Sequence, residues 1–451
     1  MSVNTTFLAP GEGETVFTVS SAPIKFGAGA LSEVGADAQA LGMKRVALFV
    51  DSHVLASLSG ETALGALRAV GLDVEVYNQA RCEPTSDSFE AAATFAREGA
   101  FDGFVSLGGG SVMDTAKAAN LLSSYPDELI AYINAPIGRA KPIPGRLKPH
   151  IACPTTCGTG SETTGITIVD LKSVGLKTGI ASPLLKPSLA IVDPTTTETL
   201  PGGVVAACGF DVLTHAVESY TARPYTSRPR PAHPSHRPPY QGSTPYNDIG
   251  SIAAIRLGGK YLVRAVRDAG DKEARHQLMF AATLAGLAFG SAGVHIPHAM
   301  SYSVATLRHE FTASGYEERD PMVPHGIAVV INAPAAFRFT ASADPGRHLD
   351  AAAALGADIA GAALEDAGEI LARAFISLMR EAGLPSGIAA LGYGEADVPA
   401  LADGAFAQQR PLVMAPRNVS KQDLENIYRD ALRYWRGRGL SAARGRNGSS
   451  V

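Results

Sequence analysis

The sequence predicts an α/β domain with a mostly parallel sheet over residues 1–203, followed by an all-α domain over residues 204–435. In the first 200 residues, short apolar runs alternate with amphipathic stretches, which is typical of strands linked by crossover helices. After the run TLPGGV, Ala- and Leu-rich segments with helical spacing replace the β-branched runs. A chain of 451 residues also exceeds what one ordinary core needs, so two domains are the default expectation.

Five apolar runs predict the strands of the N-terminal sheet. They are RVALFV (45–50), LDVEVY (72–77), GFVSLG (103–108), HIACPT (150–155) and LAIVDP (189–194). The stretches between them, such as SDSFEAAATFAREG, have helical spacing. Because helices separate the strands, the sheet should be largely parallel.

Three segments of the second half need separate interpretation. The run 278–294 approaches the length of a membrane span, but Thr, Ser and small residues interrupt it, so we predict a core helix. Residues 222–247 are rich in proline and arginine and predict an extended excursion that contains no helix. Residues 436–451 have the composition of a disordered, solvated tail.

Composition and cysteine usage limit the partners and the compartment. A formal net charge of −4 gives no reason to expect nucleic acid or an acidic membrane, so we predict a small-molecule partner. Four scattered cysteines cannot form a disulfide framework, and Cys153 and Cys157 lack the second pair that a zinc site needs. The start of the sequence shows neither a secretory signal nor an Arg-rich transit peptide, so we predict a cytoplasmic location.

A glycine turn follows the third predicted strand. The run GFVSLGGGSVMDTAKAAN passes from the strand through three glycines, including Gly109 and Gly110, and Ser111 into a predicted helix. Glycines here let backbone N–H groups approach a phosphate at the helix N-terminus. The alternative is a plain tight turn, and the usual dinucleotide fingerprint fails because Met113 stands where a third glycine is expected.

Polar residues follow two other predicted strands. Asp51 closes the first strand, where a carboxylate can accept from ribose hydroxyls and favours NAD over NADP. The alternative is that Asp51 caps the next helix. The loop PTTCGTGSE presents Thr155, Thr156, Thr159 and Ser161 near the same sheet edge, where ligands of open α/β sheets bind.

The second half carries a pattern of metal-binding residues. In GFDVLTHAVESY, Asp211 and His215 lie four residues apart and therefore on one face of a helix. Burying this pair is costly unless a hydrogen bond, a salt link or a metal satisfies it. His298 and His325 follow in two further segments. One carboxylate and three imidazoles suit Fe²⁺ or Zn²⁺, whereas the alternative is a set of hydrogen-bonded core histidines.

Five motifs together resemble the iron-containing (group III) alcohol dehydrogenase family over nearly the whole chain. They are GGGSVMDTAK, PTTCGTGSE, GFDVLTHAVESY, HAMSY and VPHG, in this order. The runs GFDVLTHAVESYTARPY and PHGIAVVINAPAAFRFT look most like the hydroxyacid-oxoacid transhydrogenase branch. The resemblance implies a dehydroquinate synthase-like architecture, in which a dinucleotide-binding domain precedes a metal-binding domain.

The resemblance also implies roles for single residues. The expected metal ligands are Asp211, His215, His298 and His325, with Fe²⁺ favoured and Zn²⁺ possible. The expected NAD contacts are Asp51, Gly109, Gly110, Ser111, Asp114, Thr155, Thr156, Ser161 and Lys177. Many members carry histidine where this chain has Tyr302, and a tyrosine can still hydrogen-bond the substrate.

The implied reaction oxidises 4-hydroxybutyrate to succinate semialdehyde while 2-oxoglutarate becomes 2-hydroxyglutarate, with NAD staying bound. Both substrates carry carboxylates, which arginine captures best. The candidate anchors are Arg223, Arg228, Arg230, Arg237 and Arg308. The alternatives are an NAD-dependent alcohol dehydrogenase that releases NADH and a non-catalytic nucleotide-binding protein. We also expect a homo-oligomer, a dimer or larger.

Overall fold

A six-stranded parallel sheet forms the centre of the N-terminal half in the computed structural model, which describes residues 13–172, 176–307, 311–316 and 321–436. The sheet has the order β1-β8-β5-β4-β2-β3, and β6 and β7 form a separate antiparallel hairpin. The strands are β1 Ile24–Phe26, β2 Arg45–Val50, β3 Asp73–Tyr77, β4 Gly103–Gly108, β5 His150–Pro154, β6 Ile166–Leu171, β7 Leu176–Ala181 and β8 Leu189–Val192.

All five predicted strands are present and parallel. The central strands β4 and β5 are buried along their whole length, because helices cover both faces of the sheet. The structure adds three strands that the sequence did not predict. Strand β1 has only three residues, and β6 alternates buried with half-buried positions, as expected for a strand with one covered face.

Short and medium-length helices connect these strands. They are α1 Val34–Ala40, α2 Ser52–Leu55, α3 Leu58–Ala69, α4 Ser86–Glu98, α5 Gly110–Ser124 and α6 Leu129–Tyr132. Helix α5 begins two residues after β4 ends, so its N-terminus lies at the carboxyl edge of the sheet.

The second half is helical, as predicted. Its helices are α7 Gly202–Thr221, α8 Pro245–Arg267, α9 Lys272–Ala292, α10 Ile296–Thr306, α11 His325–Val330, α12 Ala333–Thr340, α13 Pro345–Ala354, α14 Ala367–Glu381, α15 Val398–Phe406, α16 Gln409–Leu412 and α17 Lys421–Asp430. Helix α7 is buried over most of its length, and α9 contains most of the predicted core helix. The helical run His325–Ala343 has the length and hydropathy of a membrane span, but 78% of it is buried within the protein.

The proline-rich segment 222–247 is ordered by contacts with the helical half. It contains the 3-10 turns Tyr225–Ser227 and Pro234–His236, and its two ends meet in a bridge between Pro224 and Ser243. The prediction that it contains no helix is wrong for its last three residues, because α8 begins at Pro245. Proline suits the first helical position, where no N–H partner is needed.

The predicted domain boundary at residue 203 stays a prediction. Strand β8 ends at Val192 and helix α7 begins at Gly202, so the change of architecture occurs near it. The predicted tail lies outside the described residues except for Arg436.

A buried ion pair connects three helices of the second half. The guanidinium of Arg347 lies 3.9 Å from the ring centroid of Tyr220 and donates to the carbonyl oxygen of Tyr220 at 2.6 Å. It also donates to Asp248 Oδ2 at 2.9 Å. These contacts fix α13 against α7 and α8, and α7 carries two of the predicted metal ligands.

We predict that Arg347→Met lowers the free energy of unfolding by about 3–5 kcal/mol, because it leaves the Asp248 carboxylate buried without its guanidinium. Urea denaturation measures the change. The control is Arg373→Met, which removes an exposed pair with Glu369 on α14 and should cost at most about 0.5 kcal/mol. Equal losses in the two variants would show that the buried pair has no special role.

Candidate metal and cofactor site

One cavity is lined by residues from both halves of the chain. From the α/β half, the predicted cofactor residues that line it are Gly110, Ser111, Asp114, Ser161 and Lys177. From the helical half, the predicted catalytic residues that line it are His215, His298, Tyr302 and His325. The glycine turn and the metal-binding pattern therefore face the same space.

Three of the four predicted metal ligands converge at this cavity. One ligand atom each from Asp211, His298 and His325 lies within 4.8 Å of the other two. Asp211 is on α7, His298 is on α10 and His325 is the first residue of α11. Gly326 permits this approach, because a Cβ atom there would lie 1.9 Å from the carbonyl oxygen of Ala207 on α7.

His215 lies beside this group and is not one of its three members. Its Nδ1 atom is 3.7 Å from Asp211 Oδ1. Its ring stacks on Phe289 with a centroid separation of 4.0 Å and on His298 with a separation of 4.4 Å. The four-ligand set thus stays a prediction, with three ligands brought together and the fourth adjacent.

The buried polar atoms of the cluster fit a divalent cation. Asp211 Oδ1 and His298 Nε2 are buried, have no hydrogen-bond partner among the described residues and lie 3.5 Å apart. His325 Nε2 is 3.9 Å from the same Asp211 oxygen. Buried polar atoms without partners are costly, and a cation bound by Asp211 and His298 would satisfy both atoms, with His325 Nε2 close enough to join them.

The protonation states agree with this fit. Burial lowers the pKa of His215 to about 3 and that of His325 to about 4, so both rings are neutral near pH 7 and offer a lone pair. Burial also opposes ionisation of Asp211, but the neighbouring imidazoles hold its pKa below the usual value. For His298, burial is outweighed by the carboxylates of Glu218 and Asp211, which raise its pKa to about 9. An environment that favours a proton at His298 also favours a metal cation.

Glu218 orients His298 toward Asp211. Its carboxylate accepts a hydrogen bond from His298 Nδ1 and another from the backbone N–H of His295 at 2.7 Å. Because Nδ1 is engaged in this way, Nε2 is the ring atom that faces Asp211. Sequence reasoning assigned no role to Glu218, although it lies three residues after His215 on the same helix.

The cofactor side of the cavity is formed by the N-terminus of α5. A Cβ atom on Gly110 would lie 2.6 Å from Thr159 Cγ2, so the close approach of the 154–162 loop to this helix requires glycine. Gly110 and Ser111 line the cavity, where the helix N-terminus can receive a phosphate.

Other predicted cofactor residues already have partners within the protein. Asp114 accepts from Ser161 Oγ at 2.6 Å and from the N–H of Ile168 at 2.8 Å. Asp51 caps α2, so the alternative interpretation of this residue is present in the structure. Asp51, Gly109, Thr155 and Thr156 lie outside the cavity lining. Their contacts with NAD, like those of the lining residues, stay predictions.

Two residues of this side escaped sequence reasoning. Lys117 on α5 donates to the carbonyl oxygen and the hydroxyl of Ser161, each at 2.6 Å, and so fixes the loop against the helix. Glu83 lines the cavity and forms an ion pair with Lys177 of β7. Glu83 has a φ of 53°, which lies in the left-handed region. The run RCEPTS after β3 did not predict this backbone conformation.

Those predicted substrate arginines that the structure describes do not line the cavity. Arg223 donates to the carbonyl oxygen of Ala415 at 3.0 Å, and Arg237 pairs with Glu14 at 3.1 Å, so both guanidinium groups are engaged elsewhere. Arg228 and Arg230 contact Tyr240 and Thr15, and Arg308 lies outside the described residues. The arginine that lines the cavity is Arg410 of α16, which no sequence motif marked.

Comparison with known proteins tests the resemblance. Residues 21–194 match the model of the iron-containing alcohol dehydrogenase family, and residues 240–432 match its C-terminal model. The mitochondrial hydroxyacid-oxoacid transhydrogenase of Mus musculus is 46% identical over 95% of this chain and 93% of its own length. The Homo sapiens protein of the same name is 44% identical with the same coverage.

Solved structures agree with the fold. The crystal structure of 1,3-propanediol oxidoreductase superposes with a TM-score of 0.80 at 28% identity and covers 92% of this chain and all of its own. Sulfoacetaldehyde reductase from Bifidobacterium kashiwanohense, solved in complex with NAD⁺, gives a TM-score of 0.74 at 26% identity, covering 92% of this chain and 99% of its own.

The predicted cytoplasmic location is wrong, because the transhydrogenases that this chain resembles are mitochondrial proteins. The four free cysteines indicate a reducing compartment and do not say which one. The predicted family, in contrast, is confirmed by both halves of the chain. With matches to both family models and relatives of 44–46% identity, the chain belongs to the iron-containing alcohol dehydrogenase family, a family of oxidoreductases that act on CH–OH groups.

Proposed function

We propose that this protein is a hydroxyacid-oxoacid transhydrogenase that oxidises 4-hydroxybutyrate to succinate semialdehyde and reduces 2-oxoglutarate to 2-hydroxyglutarate. The observation that carries the proposal is the cluster of Asp211, His298 and His325, two of which, His298 and His325, line the cavity that the glycine turn also lines. The names of the relatives support this choice within the family. The alternative within the same family is a dehydrogenase that releases NADH in every cycle.

The proposal includes two bound groups. Asp211, His215, His298 and His325 would hold a divalent ion, Fe²⁺ in preference to Zn²⁺, and α5 would receive the phosphates of NAD at its N-terminus. When bound, the ion polarises the substrate oxygen and the nicotinamide carries the hydride. The carboxylate of Asp51 favours NAD over NADP in this proposal.

The chain itself supplies orientation and a dry environment. Phe289 and Val294 form an apolar wall of the cavity, and Phe289 holds the His215 ring by stacking. Tyr302 lines the cavity with its ring 6.4 Å from that of His325, and in this proposal its hydroxyl would hydrogen-bond the substrate. Such positioning is what the protein contributes to hydride transfer.

The site also limits the partners. We infer that these are small hydroxy acids and oxo acids, and the net charge of −4 offers no attraction for nucleic acid. We keep the expectations of no membrane partner and of a homo-oligomer of two or more chains. Size-exclusion chromatography with light scattering tests the oligomer.

We predict hydride transfer between the two acids without added NAD. The purified holoprotein, freed of loose nucleotide by gel filtration, receives 4-hydroxybutyrate deuterated at C4 together with 2-oxoglutarate. Deuterium should appear at C2 of 2-hydroxyglutarate by mass spectrometry, because the reduced nicotinamide stays bound until it passes the deuteride to 2-oxoglutarate. Lactate dehydrogenase with pyruvate, which consumes free NADH, should not reduce the yield. Strict dependence on added NAD, with label lost to lactate, would identify an ordinary dehydrogenase instead.

We predict that Glu218→Gln weakens divalent metal binding by about 10- to 100-fold, because the carboxylate that orients and charges the His298 ring is lost. Competition with a chelator measures the affinity for Zn²⁺, and anaerobic metal analysis identifies the native ion. The control is Glu90→Gln on the exposed face of α4, which should bind metal like the wild type. An unchanged affinity in Glu218→Gln would remove Glu218 from the metal site.

A further inference from the structure

Two cationic side chains, Lys177 and Arg410, are the only lysine and arginine among the described residues that line the cavity. Their electrostatic situations differ. Lys177 forms an ion pair with Glu83, so its charge is already compensated. Arg410 forms no ion pair with any carboxylate of the described chain. Arg410 is therefore the cationic side chain of the lining that no carboxylate of the described residues pairs with.

The surroundings hold the Arg410 guanidinium in one orientation. Its Cζ atom lies 4.9 Å from the ring centroid of Tyr240, and its Nη2 atom lies 3.5 Å from the hydroxyl oxygen of Tyr302. Its Nη1 atom is buried and has no hydrogen-bond partner within the described residues. A buried guanidinium donor without an acceptor is costly, and a carboxylate matches its planar fork with two parallel hydrogen bonds.

The two proposed substrates have the same spacing between the reacting carbon and one carboxylate, so a single cation could bind that carboxylate in both. In 4-hydroxybutyrate, two methylene groups separate the reacting carbon C4 from the carboxylate. In 2-oxoglutarate, two methylene groups separate the reacting carbon C2 from the distal carboxylate. Fixing that carboxylate would place the reacting carbon of either molecule at the same distance from it.

From these observations we infer that Arg410 anchors the carboxylate that lies two methylene groups from the reacting carbon in both substrates. The inference deepens the proposed function and rests on it. The two carboxylates of the lining do not oppose this role, because Glu83 is paired with Lys177, and Asp114 lies 4.0 Å from Lys117 and accepts hydrogen bonds from Ser161 and Ile168. Tyr302 links the anchor to the metal cluster, because it contacts Arg410 with its hydroxyl and faces the His325 ring.

The test compares acids with an uncharged alcohol in Arg410→Met. We expect kcat/KM to fall about 10- to 100-fold for both 4-hydroxybutyrate and 2-oxoglutarate, mainly through KM, because a charge-assisted hydrogen bond is lost. Reduction of the bound nicotinamide by 1-butanol, measured in a single turnover without an oxo acid, should change less than about twofold, because this alcohol has the same carbon chain without the carboxylate. Arg410→Lys keeps the charge without the fork and should lie between the two. In the wild type, 3-hydroxypropanoate and 5-hydroxypentanoate should react less well than 4-hydroxybutyrate.

The matched control is Arg417→Met. Arg417 stacks on Phe339 with 4.2 Å between Cζ and the ring centroid, but it is exposed and lies outside the cavity. The Arg417→Met variant should retain the wild-type preference for acids over 1-butanol. An equal loss on acids and on 1-butanol in Arg410→Met, or a matching loss of NADH affinity, would overturn the inference.

Calorimetry with glutarate separates the inference from the proposed function. Glutarate has two carboxylates and no oxidisable carbon, so its binding does not depend on turnover. If the wild type fails to convert the acid pair but binds glutarate at least tenfold more tightly than Arg410→Met, the transhydrogenase proposal fails and the anchor stands. If the acids are converted but glutarate binds both proteins equally, the anchor fails alone.

Discussion

The buried carboxylate of Asp211 is the constraint on which the site depends. It lies on a helix that is almost entirely inside the protein, where an unpaired charge would be severely destabilising. The helices that bring His298 and His325 to it must therefore be held in place, and Gly326 and Glu218 do this from two sides. Without a cation, these buried polar atoms destabilise the fold. With a cation bound, the same atoms would be its ligands.

Much of the fold was predictable because parallel strands buried on both faces appear in the sequence as uninterrupted apolar runs. The helical half was predictable from its spacing. Strand β1 was missed because three residues give no period, and the β6–β7 hairpin because its alternating pattern is short and lies among polar loops. The prediction of no helix in the proline-rich segment was wrong at its C-terminal end, because Pro245 is the first residue of a helix.

The neighbouring positions of Asp211, His215, His298 and His325 were predictable, because the first two share a helix at a spacing of four residues and the motifs supply the others. Arg410 and Glu83 were not, because their roles depend on tertiary partners. Composition pointed to the arginines around residue 230, but it could not show that Arg237 is already paired with Glu14, 223 positions earlier in the chain. Conversely, Arg410 lies in a helix of four residues with no periodic signal, and only the folded chain shows that its charge has no carboxylate partner among the described residues.

Transhydrogenation requires something of the cavity that ordinary dehydrogenation does not require. If the nicotinamide stays bound, the oxidised product must leave and the acceptor must enter the same space, so one set of contacts has to position two different molecules. In the proposed function, the histidine cluster would receive the oxygen of the carbon that is oxidised or reduced, and Arg410, which lines the same cavity, would hold the carboxylate that does not react. Selection would then depend on the distance between this oxygen and the carboxylate rather than on whether the oxygen belongs to an alcohol or a ketone. A hydroxy acid and an oxo acid of matching length would be held in the same way, which is required if one is to deliver the hydride that the other receives.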